Sequence, residues 1–401
     1  MVVSGSPVLY FETAGSGHRA HYVAVLAKYL TAWNKADQVI FAGPAQLRER
    51  AFAQLGEELA ETSPRFQFVE LPEKDIRDAM NAPTLFQRHR RCWQLGLRAA
   101  QRCNARQVFF AALDHILLAA ATSSLPPFRV SGLLFRGSSH WRERRAGWLG
   151  LVREGIKEHA LRVVLAKPWF ENLFTLDPYF KEYMDLHSSQ GKKVILLPEP
   201  FDAPCDAAQA WGARMSGRVR FLFFGSMQER KGIRPLLDAL LLLPRDVAAA
   251  SEFRFCGEGE MLSFIEERLP ILRSAGLDVS LERGFLPRRQ LEAEISACDV
   301  VLAPYLGHVG SSGVLLLAAA FRKPILTQQE MLLGAEVRRY QLGEPVDTRD
   351  PIAIAEGICR LNRECLKGFE GTRQFDAFIS RHGKEKFAEC LGAHLFTHVA
   401  E

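Results

Sequence analysis

Short apolar runs, each bounded by glycine, proline or charged residues, alternate along the first half of the chain with longer stretches whose apolar positions return at helical spacing. Val8 to Glu12, Gln38 to Phe41, Phe66 to Glu70, Gln107 to Phe110, Gly132 to Phe135, Arg162 to Leu165 and Lys193 to Leu197 predict strands. Apolar strands flanked by helices are covered on both faces, which means a parallel α/β sheet. Between Pro198 and Gly217, prolines 198, 200 and 204 with aspartates 202 and 206 break both kinds of element and predict a linker. The alternation then restarts. Val219 to Phe224, Phe253 to Cys256, Asp278 to Leu281, Asp299 to Ala303 and Pro324 to Thr327 predict the strands of a second sheet, with helices such as Arg234 to Leu243 and Gln290 to Ala297 between them. The expectation is two doubly wound, Rossmann-like α/β domains, 1–205 and 206–374, facing a cleft, with a C-terminal helix over about 375–401 packing back on the first. Ligands of such sheets bind outside the carboxyl ends of the strands.

Composition narrows the class. The chain has 401 residues, room for two or three domains at ~150 residues each, and 48% hydrophobic with 24% charged residues is a globular balance. A net charge of +5 is too small for a dedicated nucleic-acid binder. The eight cysteines are scattered without a C-x-x-C pair, which suits reduced thiols. No basic-plus-apolar leader opens the chain and no apolar run would span a bilayer, so it reads as cytoplasmic. With no H-E-x-x-H, no cysteine-histidine cluster and no Asp-x-Asp, a metal has no support in the sequence.

Several glycine turns sit where strands end. Gly15-Ser16-Gly17-His18-Arg19-Ala20 fits a dinucleotide fingerprint, yet Phe41 runs into Ala42-Gly43-Pro44, where a nicotinamide enzyme needs an acid or Arg for the ribose. Two readings remain: a tight strand-to-helix turn, or a helix start at which His18 meets a polar or anionic group. In the second half Gly225 is followed by Arg230-Lys231-Gly232, cations able to hold a diphosphate or simply solvated. Gly257-Glu258-Gly259 and Gly284-Phe285-Leu286 end two more strands. Pro304-Tyr305 leads into Gly307-His308-Val309-Gly310-Ser311-Ser312-Gly313, directly before an apolar helix from Val314 to Phe321. Amides and hydroxyls at such a helix start form an anion-binding concavity, while the plainer reading is a loop with Ser312 as cap.

In this order, over about residues 219 to 360, the pieces resemble the donor domain of a GT-B glycosyltransferase, specifically glycosyltransferase family 4. Lys323-Pro324 and the Glu336-Val337 step before Gly343 and Val346-Asp347 complete the resemblance. It implies a nucleotide-sugar donor (UDP- or GDP-linked), no required metal, and retention of configuration. It further implies a donor site on Gly225, Arg230, Lys231, Gly257, Leu286, Tyr305, Ser311, Ser312, Gly313, Val314 and Glu336. The first half is similar only in outline, through Gly15, Gly17, His18 and the Asp114-His115 strand end on the acceptor side. This chain departs from the family at the paired glutamates, where Val309 and Leu317 stand, and at Ser226, where an Arg often assists the diphosphate. An inactive sugar- or nucleotide-binding relative is therefore the alternative to a transferase.

Catalysis would rest on Arg230, Lys231 and the Ser311–Gly313 helix start stabilising leaving-group charge. His115, preceded by Asp114, would serve as a general base in an inverting reaction or as a positioning group in a retaining one, against the plainer reading of a packed histidine. From Arg136 to Lys167 eight Arg or Lys outweigh three acids and interleave with Trp141, Trp148, Leu149 and Leu151. That segment fits docking on an anionic membrane surface or a lipid-linked acceptor, or else a solvated helix face. The acceptor itself, glycan, lipid-linked or small molecule, is left open.

Overall fold

The computed structural model describes residues 7–15, 19–32, 38–56, 65–137, 148–204, 217–367 and 373–396. The chain forms two compact units, Met1–Pro200 with His382–Glu401, and Phe201–Arg381.

The first unit holds a seven-stranded parallel sheet of β1 (Val8–Phe11), β2 (Val39–Gly43), β3 (Phe66–Glu70), β4 (Gln107–Phe110), β5 (Arg129–Leu134), β6 (Phe170–Thr175) and β7 (Val194–Leu196), in the order β3-β2-β1-β4-β5-β6-β7. Alternate residues of one strand serve opposite cores. Leu9, Phe11, Val108 and Phe110 join Trp93 and Trp169 on one face. Val8, Tyr10 and Phe109 join Phe41 and Phe174 on the other.

One expected strand is a helix here. Arg162 to Leu165 is the end of a helix, Trp148–Ala166, because Ala160, Leu161, Val164 and Leu165 form a buried helical stripe that the Val-Val pair disguises. The strand lies just beyond, at Phe170–Thr175, where Glu171 and Asn172 interrupt the apolar run. The C-terminal region also divides. Phe375 and Phe378 pack in the second unit with Tyr305 and Phe321. Helix Lys384–Leu395 returns to the first unit, where Phe387, Leu391 and Leu395 join Val8 and Tyr10. Burying each of those three side chains contributes about 2 kcal/mol. The division thus falls at Pro200/Phe201 and Arg381/His382.

In the second unit β8 (Val219–Ser226), β9 (Ser251–Glu258), β10 (Asp278–Arg283), β11 (Val300–Ala303), β12 (Ile325–Gln328) and β13 (Gly343–Val346) form a parallel sheet ordered β10-β9-β8-β11-β12-β13. The sixth strand, β13, is short, carries Pro345 and lies at the sheet edge, where a missing N–H is tolerated. Phe221 and Phe223 face one core, Leu222 and Phe224 the other.

Candidate functional site

In the second unit the strand order reverses between β8 and β11, which opens a crevice at their carboxyl ends. Two loops line it. After Gly225, the buried Met227 anchors the first loop by donating its N–H to Glu258 O at 2.7 Å, and a short turn, Glu229–Lys231, delivers both cations to the head of helix Ile233–Leu240. The second loop lies directly against it: Leu306 N–H donates to Arg230 O at 2.9 Å. Gly232, at φ +74°, has no room for a side chain, because a Cβ there would stand 1.8 Å from Pro304 O. Gly257 is equally tight, a Cβ falling 1.9 Å from Gly225 O.

Lys231 is the electrostatic centre of this crevice. Its Nζ lies 3.8 Å from the centroid of the Tyr305 ring, a cation–π contact. Burial, and then the neighbouring Arg230, pull its pKa from 10.5 down to about 8. Arg230 itself is exposed, with Nε donating to Gln228 Oε1 at 2.8 Å. Tyr305 is buried, its hydroxyl pKa pushed up to about 12 by that burial, and it accepts a long hydrogen bond from Ser312 Oγ at 3.4 Å. Ser312 occupies the cap position of helix Gly313–Ala320 but makes no side-chain cap bond. The expected capping role is therefore replaced by the tie to Tyr305. The amides of Gly313, Val314 and Leu315 are the ones a helix start leaves without intrahelical acceptors. Ser311 joins the group through its carbonyl, 2.9 Å from His308 Nε2.

Sequence reading missed the groups that hold this loop. Gln328, fully buried at the end of β12, accepts from His308 N–H at 2.8 Å and donates to His308 O at 2.6 Å. Thr348 Oγ1 donates to Tyr305 O at 2.6 Å. Of the other expected donor residues, Gly257 is the penultimate residue of β9 and Leu286 follows β10, strands on the side of β8 away from β11. Glu336 is buried in helix Met331–Arg339 and pairs with Arg381 at 3.3 Å, a contact that holds the fold together.

In the first unit the corresponding reversal lies between β1 and β4. Glu12, buried at the end of β1, accepts from the N–H groups of Thr13 and Ala14, both at 2.8 Å, and pairs with Arg19. Arg19 in turn donates to Ala111 O at 3.1 Å and stacks 4.2 Å from the Phe135 ring centroid. Gly15 lies in this strapped turn, whereas Gly17 and His18 lie outside the described residues. Glu12 was missed because a carboxylate at a strand end reads as a solvated boundary.

After β4 a short turn, Leu113–His115, carries the expected acceptor pair. Asp114 does not support the imidazole by a hydrogen bond. Its Oδ2 accepts from Phe135 N–H at 2.9 Å. His115 Nδ1 is buried with no hydrogen-bond partner, and burial lowers the ring's pKa against the pull of Asp114 and Glu12. Beside it a cavity of about 330 Å³ is lined by Arg88, His89, Asp114, His115, Arg136 and Lys157, among others. His89 accepts Leu118 N–H at 3.1 Å on Nδ1, and burial takes its pKa down to about 4. Helix Trp148–Ala166 closes one wall of this cavity with Glu154, Lys157, Glu158 and Leu161, while Trp148, Val152 and Ile156 on its opposite face are 72%, 52% and 55% exposed. Residues 138–147 of the basic segment lie outside the described residues. Lys157 and Arg162 pair with Glu154 and Glu158 on their own helix.

Among the described residues no helix is long and apolar enough to cross a membrane, and no cluster of three or more His, Cys, Asp or Glu is placed to hold a metal ion. Residues 218–364 match the family described as glycosyl transferases group 1. A probable glycosyltransferase, WbjE of Pseudomonas aeruginosa, is 29% identical over 213 residues, 50% of this chain and 49% of that one, so the chain spans about half the length of this curated relative. Among solved structures, Anabaena Alr3699/HepE in complex with UDP superposes with a TM-score of 0.62 at 15% identity, covering 96% of this chain and 98% of that one. WaaG, a glycosyltransferase involved in lipopolysaccharide biosynthesis, gives 0.60 at 12% identity, covering 98% and 100%. Those two likenesses carry the fold.

Proposed function

We propose, on the premise that this chain is a GT-B glycosyltransferase, that it moves a sugar from a nucleoside-diphosphate donor, UDP- or GDP-linked, to a glycan or lipid-linked acceptor. The observation that carries this reading is Lys231 on the Tyr305 ring at the β8/β11 crevice, beside the helix that starts at Gly313. A departing diphosphate there meets a cation shielded from water, the Arg230 fork, and the Gly313, Val314 and Leu315 amides, so charge develops against fixed positive groups without a metal. Ser311 and Ser312, on the same loop, would supply donor-sugar contacts that the glutamates missing at Val309 and Leu317 cannot. On the acceptor side Asp114 and His115 stand in the turn after β4, and Gly15 in the strapped turn after β1. A histidine held neutral by burial and without a carboxylate partner fits a positioning role in a retaining transfer better than that of a general base.

Nucleotide release over a panel of UDP- and GDP-sugars tests this reading. Release above the protein-free rate, unchanged by a chelator, is the expected result. Nucleotide binding with no release across the panel would establish the inactive, binding-only alternative, which the Val309 and Leu317 substitutions favour.

The exposed stripe of Trp148, Val152 and Ile156 supports peripheral docking on an anionic membrane. Double replacement Trp148→Ser, Ile156→Ser is expected to weaken flotation with anionic vesicles by about tenfold or more. Equal flotation of the variant would remove the docking role.

A further inference from the structure

We infer that the cavity of the first unit receives an acceptor carrying a phosphate group, with Arg88 and Arg136 as its anion-binding residues; this rests on the transferase reading above. Most charges around the cavity are already matched. Arg19 is neutralised by Glu12, Lys157 by Glu154, and Glu158 by Arg162. Arg88 and Arg136 have no ion-pair partner among the described residues, and Arg88 Nε is buried without any hydrogen-bond partner. They come from different elements, helix Leu85–Arg102 and the segment after β5, and line the same cavity.

Asp114 also lines the cavity, and its Oδ2 takes Phe135 N–H. Its other oxygen suits a sugar hydroxyl, which a phosphate would not displace. His115, whose buried Nδ1 is a second orphan, also lines the cavity. Two guanidiniums without an ion-pair partner among the described residues, with a neutral imidazole and the Asp114 carboxylate beside them, suit a ligand with an anionic and a hydroxylated end. The volume of about 330 Å³ admits a sugar phosphate, or the headgroup and first sugar of a lipid-linked phosphate.

The test uses the full chain with saturating UDP, so that phosphate has no access to the other unit's nucleotide site. Glucose 1-phosphate is titrated, with glucose and glucuronate as comparators, and phosphatidylcholine vesicles carrying a polyprenyl phosphate form a parallel arm. One phosphate source is expected to bind at least about tenfold more tightly than glucose or glucuronate, the discrimination a charge-assisted hydrogen bond supplies. Arg88→Gln and Arg136→Gln should each lose about tenfold, and Arg90→Gln, exposed on the same helix, should lose nothing. Arg136 is itself exposed, so its replacement reads binding and not folding. Saturation in the soluble arm assigns a free sugar phosphate; saturation with vesicles alone assigns a lipid headgroup. Wild-type affinity in both variants, glucuronate binding as well as phosphate, or binding of neither phosphate source overturns the inference. If UDP still binds and is still released from a donor sugar, the transferase reading survives that failure; loss of UDP binding sinks the transferase reading instead.

Discussion

Lys231→Ala lowers affinity for a nucleoside diphosphate by one to two orders of magnitude, roughly the worth of one charge-assisted bond to phosphate in a shielded site. Titration calorimetry with UDP and GDP checks this, and pH gives it a signature that loss of packing would not reproduce. In the free protein the Lys231 ammonium titrates at about 8. A bound diphosphate stabilises the cation, so binding takes up a proton as soon as the medium rises above that value. Affinity is therefore flat at neutral pH and falls about tenfold per pH unit above about 8. Lys231→Ala should bind weakly at every pH, and Lys231→Arg should retain most of its affinity at pH values where the wild type has lost it. Stability runs the other way. Because the unfolded lysine holds its proton up to 10.5 and the folded one only to about 8, the unliganded protein gains stability between those values as pH rises. A wild-type affinity profile that stays level through pH 9 would remove Lys231 from the diphosphate site.

Gly232→Ala is expected to cost about 3 kcal/mol of stability and to abolish nucleotide binding. The left-handed backbone at φ +74° accounts for about 1 kcal/mol. The larger part comes from the Cβ placed 1.8 Å from Pro304 O, which forces the two loops apart. Separation breaks the 2.9 Å bond from Leu306 to Arg230 and carries Tyr305 off Lys231, so the damage reaches the site as well as the fold. Urea unfolding measures the first effect and calorimetry the second. Full nucleotide affinity in a destabilised variant would show that the loop contact does not build the site.

The second unit was the more legible in sequence because β8 and β9 are largely apolar runs that reach Gly225 and Gly257, and local composition alone marks such ends. The contact between Lys231 and Tyr305 was not legible. It arises because β11 pairs with β8 across the order reversal, a long-range choice that neither segment encodes by itself. In the first unit Val163 and Val164 suggested a strand, and only burial along one helical face reveals the helix. Arg88 and His89 sit in the run Arg88-His89-Arg90-Arg91, which reads as a solvated face. A capping box of Thr84 and Gln87 starts the helix that carries them, yet nothing local tells which two of the four turn inward. Gln328 looks like any polar residue ending a strand until the loop it clamps is folded over it.

The return of Lys384–Leu395 to the first unit has a consequence for how the chain matures at the ribosome. Phe201–Arg381 is contiguous and can finish its cores as soon as it emerges. The amino-terminal sheet, made first, packs its face around Val8, Tyr10 and Phe109 against Tyr22, Val23 and Leu26 of its own helix, but lacks Phe387, Leu391 and Leu395 until the second unit has been synthesised. The first unit is thus begun before the second and completed after it, and in the interval the gap left for that C-terminal helix is what chaperones or aggregation would find.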